Sequence, residues 1–172
     1  MLKWLGAGLV ICGSAAIGAS MTGDLRRRIL ELQEMRKMVV VLQGEIRYGN
    51  AALNVAFRRG AMRIRQPFQG FLECMADQME EYRGEAMAEI FRQGMKERLG
   101  ATALRATDLE LLERFGESLG YLDVKTQMDS MDLFLEQVSR LCLEAEEELR
   151  SKAKVYRYLG VSAGLFLAII LI

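Results

Sequence analysis

The sequence predicts an all-α chain: a cytoplasmic helical bundle of about six helices with a transmembrane helix at each end. Three observations predict it. Apolar residues recur at spacings of three and four through most of the chain. Pro67 is the only proline among 172 residues, and alternating β-branched runs are nearly absent. Finally, apolar stretches run from Trp4 to about Met21 and from Tyr158 to Ile172, each flanked by basic residues on the side facing the middle of the chain.

The terminal stretches set the topology. Arg26, Arg27 and Arg28 follow the first; Arg150, Lys152, Lys154 and Arg157 precede the second. Lys and Arg beside a span stay on the cytoplasmic side, so both clusters put the middle of the chain in the cytoplasm. The expected division is a span over 1–22, a cytoplasmic domain over 23–156 and a short span over 157–172. A cleaved signal peptide is the alternative for the first end, but the three arginines beyond the candidate cleavage region resist export. Lipid attachment at Cys12 is opposed by Ile11, where a lipobox has a small residue. From Leu159 onward the second end supplies about 14 residues, or about 21 Å of helix at 1.5 Å per residue. A crossing needs about 20 residues, so this span is short and implies local thinning of the bilayer. Small residues repeat every fourth position at Gly8, Cys12, Ala16 and Ser20, and again at Gly160 and Gly164. Such faces let helices approach closely in lipid.

Between the ends, Leu25, Ile29, Leu32, Met35, Val39, Leu42 and Ile46 form one helical stripe from Leu25 to about Arg47, continuous with the first span through Gly23. Tyr48-Gly49-Asn50 reads as a stop, with Gly49 free to adopt positive φ and Asn50 as the next N-cap. A second helix over 51–59 presents Leu53, Ala56 and Phe57. Arg63-Ile64-Arg65-Gln66 is a polar connection, and Pro67 suits the first turn of a third helix reaching Tyr82. Its inward residues are Phe68, Phe71, Leu72, Met75 and Met79. A fourth, over 85–99 between Gly84 and Gly100, turns Met87, Ile90, Phe91 and Met95 inward. Thr107 and Glu110 spell a capping box that opens a fifth helix, with Leu109, Leu112, Phe115 and Leu119 inside and Gly120 at its end. The last helix starts near Asp123 and carries Val124, Met128, Met131, Leu135, Val138, Cys142, Ala145 and Leu149 before running into the second span.

Composition excludes several function classes. Lys+Arg and Asp+Glu are both 23, whereas nucleic-acid binders show a basic excess. There is no histidine, which removes His-based acid/base chemistry and His metal ligands. Cys12, Cys74 and Cys142 are odd in number and widely spaced, so no disulfide framework or zinc site follows. No phosphate loop, dinucleotide glycine pattern or nucleophile elbow is present. Glu144, Glu146, Glu147 and Glu148 read as a solvated face, since consecutive residues point around a helix. A carboxylate enzyme using Glu144, Glu147 and Asp132 lacks convergence for the same reason. No catalytic residue, cofactor, metal or small-molecule substrate is expected.

Four segments in order resemble the stage III sporulation protein AB family. They are Leu2-Lys3-Trp4-Leu5-Gly6-Ala7, Glu45-Ile46-Arg47-Tyr48-Gly49, Phe115-Gly116-Glu117-Ser118-Leu119-Gly120 and Lys154-Val155-Tyr156-Arg157-Tyr158-Leu159-Gly160. The likeness spans essentially the whole chain, with Asp123 one residue later than the family pattern and Asn50 where threonine or serine is expected. The resemblance implies a component of the sporulation complex linking mother cell and forespore, in the mother-cell membrane facing the forespore. The family also looks like the inner-membrane platform proteins of type II secretion and type IV pilus systems. A non-catalytic platform or adaptor is therefore implied, with a secretion-type ATPase and other membrane components of the complex as partners. The alternative is a membrane-anchored structural or regulatory protein without an ATPase partner. Expected partner-binding residues, or their support, are Glu45, Arg47, Tyr48, Gly49, Phe115, Gly116 and Gly120. Expected membrane helix-packing residues are Gly8, Cys12, Ala16, Gly160 and Gly164.

Overall fold

The computed structural model describes the backbone of residues 2–49, 52–81, 86–119 and 124–171, and the side chains of 23–49, 52–81, 86–119, 124–152, 154, 155 and 162. Over the described residues the chain is all-α, with no strand. Its six helices are α1 (Leu2–Arg47), α2 (Leu53–Ala61), α3 (Phe68–Glu80), α4 (Met87–Arg98), α5 (Ala106–Ser118) and α6 (Val124–Leu171). The chain divides into two compact units, one formed by Leu30–Cys142 and one by residues 1–29 with 143–172.

In the larger unit, α1 buries Leu32, Met35, Val39, Leu42 and Ile46, the expected stripe, and adds Met38. A core-facing stripe is wide enough to admit a residue between two predicted positions. α6 runs antiparallel to α1 here. Arg36 Nε donates to Ser139 Oγ at 3.0 Å and Gln43 Nε2 donates to Asp132 Oδ1 at 2.7 Å, so rising numbers on one helix meet falling numbers on the other. The inward α6 residues include Met131 and Val138 as expected, plus Phe134, while Val124 is exposed.

Successive helices α2 to α5 close through aromatic and glycine contacts. Phe71, Phe91, Phe115 and Phe134, from α3, α4, α5 and α6, form a ladder with centroid separations of 5.0, 6.3 and 4.6 Å. The first two pairs meet edge to face, the arrangement favoured by ring quadrupoles. At the α3–α4 crossing, a Cβ on Gly94 would lie 3.1 Å from Met75 Sδ and 3.3 Å from Phe71 Cε2. At the α4–α5 crossing, a Cβ on Gly116 would collide with the Phe91 ring. Small residues at these points let the helix backbones approach. Ion pairs from Arg58 to Asp77 and Glu80 link α2 to α3 on the surface, and Arg92, paired with Glu89 within α4, also reaches Glu113 of α5. Hydrogen bonding to Asp77 and Glu80 holds Arg58 still further toward its charged form. Exposed pairs of this kind add little stability. Cys74 and Cys142 are buried thiols, and burial pushes the Cys74 thiol pKa up.

α1 also holds the connections. Glu34 Oε1 accepts the Arg65 N–H at 2.8 Å and Lys37 Nζ donates to the Arg63 carbonyl at 2.8 Å, fixing the α2–α3 loop. Glu31 Oε2 accepts the Ala103 N–H at 2.6 Å, fixing the α4–α5 loop. Backbone groups in loops need such partners when they are removed from water.

Several element ends differ from the sequence reading. α2 begins with Ala52 at its N-cap, without a side-chain cap, and Asn50 lies outside the described residues. Pro67 is the N-cap of α3, joined to Gln66 by a cis peptide bond, so α3 starts one residue later than expected. The cap of α5 is neither Thr107 nor Glu110. Asp108, fully buried, reaches back with Oδ2 to accept the Arg105 N–H at 2.9 Å. That is the reciprocal half of a capping box, placed two residues earlier than expected. Asp108→Ala is expected to lose about 1–2 kcal/mol of stability, whereas exposed Thr107→Ala should stay within about 0.5 kcal/mol of wild type. Urea midpoints of the two variants check this; equal midpoints would refute the Asp108 cap.

The second unit is described by itself. Leu25 and Ile29 of α1 and Ala145 of α6 are its buried apolar residues among those described. Arg28, 4% exposed, approaches Glu148 Oε2 at 3.9 Å, and Glu148 Oε1 lies 2.9 Å from Lys152 Nζ. Glu148 thus turns toward a basic partner, while Glu144 and Glu147 face solvent. α1 passes Gly23 without interruption, and a Cβ there would meet nothing within 4 Å. Among the described residues no helix is long and apolar enough to cross a membrane. In the expected spans over 1–22 and 157–172 every side chain but that of Ser162 lies outside the described residues, and so do the expectations for Gly8, Cys12, Ala16, Gly160 and Gly164.

Candidate docking surface

The last turn of α1 and the helix that follows build the most distinctive polar surface. Glu45 projects from α1 beneath two arginines of the next segment. Its Oε2 lies 3.3 Å from Arg59 Nη1 and its Oε1 lies 3.1 Å from Arg63 Nη1. The carboxylate side chain is only 10% exposed, while the Arg59 and Arg63 side chains are 54% and 63% exposed. One covered anion therefore orients two cations that face solvent. Buried charge is tolerated when it is paired in this way.

Arg47, Tyr48 and Gly49 continue from Glu45. Tyr48 keeps its N–H on the Gly44 carbonyl at 3.0 Å, so the backbone is still helical in its hydrogen bonding there. Its ring is 84% exposed, and the Arg47 guanidinium carbon lies 5.8 Å from the ring centroid. A cation over an aromatic face at this distance steadies both groups. Gly49 is not in the left-handed region expected from the sequence. It is required instead by close approach, because a Cβ there would lie 2.5 Å from the Glu45 carbonyl oxygen.

The seven residues singled out by sequence divide accordingly. Glu45, Arg47, Tyr48 and Gly49 come together at one surface. Phe115 is 4% exposed and Gly116 is buried against Phe91, so both belong to the interior support and present nothing to a partner. Gly120 lies outside the described residues. Sequence reasoning missed Arg59 and Arg63. Their signal was present: from Ile46 to Leu72 there are five arginines and no Asp or Glu. It could not be read as a site until Glu45 was seen to gather two of them.

The arrangement is suited to recognition. Arginines held by a carboxylate, beside an exposed aromatic, offer forked hydrogen-bond donors and apolar area. The acids considered for catalysis are differently engaged, with Asp132 accepting from Gln43. Among the described residues no group of three or more Cys, Asp or Glu side chains is placed to hold a metal ion.

Comparison with known proteins adds the family. The sequence model of stage III sporulation protein AB matches residues 3–172. The stage III sporulation protein AB of Bacillus subtilis (strain 168) is 28% identical over 171 residues, 99% of each chain. A solved structure of a stage III sporulation protein AB (SpoIIIAB) matches with a TM-score of 0.66 at 24% identity, over 72% of this chain and 97% of that one, and so shares the fold. The relatives are named as sporulation proteins and not as enzymes. With the six-helix fold shared and the sequence match running nearly end to end, the chain belongs to the stage III sporulation protein AB family.

Proposed function

We propose that this chain is a non-catalytic membrane platform of the sporulation complex linking mother cell and forespore, and that its middle domain docks a secretion-type ATPase. Residues 1–22 and 157–172 anchor it, residues 23–156 lie in the cytoplasm, and other membrane components of the complex surround the anchors. Family membership supports the sporulation setting, and the basic residues flanking both apolar ends support the topology. The observation that carries the docking reading is Tyr48, 84% exposed and braced by Arg47, three residues from the Glu45–Arg59–Arg63 cluster. A tyrosine presented to solvent beside oriented arginines has no role in the core and matches the residue types that dominate protein interfaces.

A crosslinked pull-down of the full-length protein from sporulating cells, probed for the ATPase, tests this reading. The expected result is capture by the wild-type chain and loss of capture on Tyr48→Ala, with membrane placement unchanged. Correct placement without capture by the wild type would instead favour a membrane-anchored structural or regulatory role without an ATPase.

A further inference from the structure

We propose that the surface carrying Tyr48, Arg59, Met62 and Arg63 recognises an acidic protein segment that also carries apolar side chains. The inference rests on the docking reading of this surface and names the chemistry of what docks there.

Three observations carry it. The first is charge segregation. Lys+Arg and Asp+Glu balance at 23 each over the whole chain, yet Ile46 to Leu72 holds five arginines and no acid. The second is the geometry at Glu45. It is one carboxylate against two guanidiniums, so the cluster keeps a net positive charge. The anion is covered and the cations are more than half exposed. Each guanidinium carries five N–H donors and meets Glu45 through a single nitrogen, leaving a fork able to engage a second carboxylate. Because Glu45 already restrains both side chains, little rotamer freedom remains to be lost on binding. The third is apolar exposure. Tyr48 at 84% and Met62 at 77% are the two most exposed large apolar side chains among those described. Tyr48 lies one helical turn from Glu45, and Met62 directly precedes Arg63. Arginine, tyrosine and methionine are the types enriched at protein–protein contacts.

Nucleic acid fits less well. The chain lacks the overall basic excess that drives binding to a polyanion. A carboxylate-bearing, partly apolar segment matches both the forked donors and the exposed Tyr48 and Met62.

The test is a fluorescence-anisotropy titration of the full-length chain in detergent micelles. Its probes are a fluorescein-labelled amphipathic peptide bearing glutamates beside leucines, the same peptide with glutamine for glutamate, and a single-stranded oligonucleotide of equal charge. The acidic peptide is expected to bind saturably and at least about tenfold more tightly than the other two. Arg59→Gln with Arg63→Gln should weaken it by about tenfold or more, and so should Tyr48→Ala. Arg59→Gln with Arg63→Gln strips the covered Glu45 of its partners, so it is made together with Glu45→Gln, and circular dichroism checks that every variant folds. Absence of saturable binding, equal binding of either control probe, or unchanged affinity in the variants would overturn the inference. Peptide binding without ATPase capture in cells would remove the ATPase from the reading while leaving the recognition chemistry standing. ATPase capture that ignores the arginine variants would do the reverse.

Discussion

Phe91→Ala is expected to cost about 3–5 kcal/mol, the largest effect of any single change considered. Phe91 is 1% exposed and sits at the centre of the aromatic ladder, 5.0 Å from Phe71 and 6.3 Å from Phe115 between centroids. It also covers the Gly116 backbone. Truncation would remove two edge-to-face contacts, expose the apolar faces of α3 and α5 to a void, and leave a glycine with nothing above it. Relaxation cannot refill such a space from helices whose other contacts stay in place. Urea unfolding followed by circular dichroism should show a lower midpoint with an unchanged slope. A shift as small as that of an exposed substitution would mean that the ladder contributes no more than surface contacts do.

Gly116→Ala is expected to destabilise the protein by about 1–3 kcal/mol although it replaces a helical glycine with the best helix former. Three Phe91 ring atoms occupy the place an added methyl would take. Gly44→Ala is the matched control, because a Cβ there meets nothing within 4 Å on α1. That change should stabilise by about 0.5–1 kcal/mol, through the smaller entropy of the unfolded chain. The two glycines therefore predict opposite signs for one chemical change. Combining Gly116→Ala with Phe91→Leu should cost less than the two single changes added together, since a smaller, flexible side chain gives way to the methyl. Stabilisation by both alanines would disprove the close α4–α5 crossing.

Most of the helical framework was legible in the sequence because a helix buries residues three and four apart. Leu32, Met35, Val39 and Leu42, or Phe71, Leu72 and Met75, declare their face without any knowledge of what packs there. The breaks near Gly100 and before Pro67 were equally plain. The ends of helices were less so. At α5 the sequence held two competing acids, Glu110 behind Thr107 and Asp108 behind Arg105, and burial of Asp108 decided between them. Phe134 and Met38 were missed because a packed helix buries a wider stripe than the narrowest periodic pattern implies.

The docking surface was half visible. Glu45, Arg47, Tyr48 and Gly49 stood out as one segment, and Phe115 and Gly116 as another with similar local signals. Helical spacing already turned Phe115 inward, and only packing showed Tyr48 in solvent and Gly116 under Phe91. What the sequence by itself determined is everything that depends on neighbours along the chain: the helical periodicity, the apolar ends with their basic flanks, and the ordered segments that identify the family. Tertiary structure alone decided the pairings between distant positions. Glu31 reaches the Ala103 N–H 72 residues away, Glu45 gathers Arg59 and Arg63, and Gly116 lies under Phe91. Such contacts depend on where and at what angle helices cross, which is set by the fit of many side chains at once and is written in no local spacing.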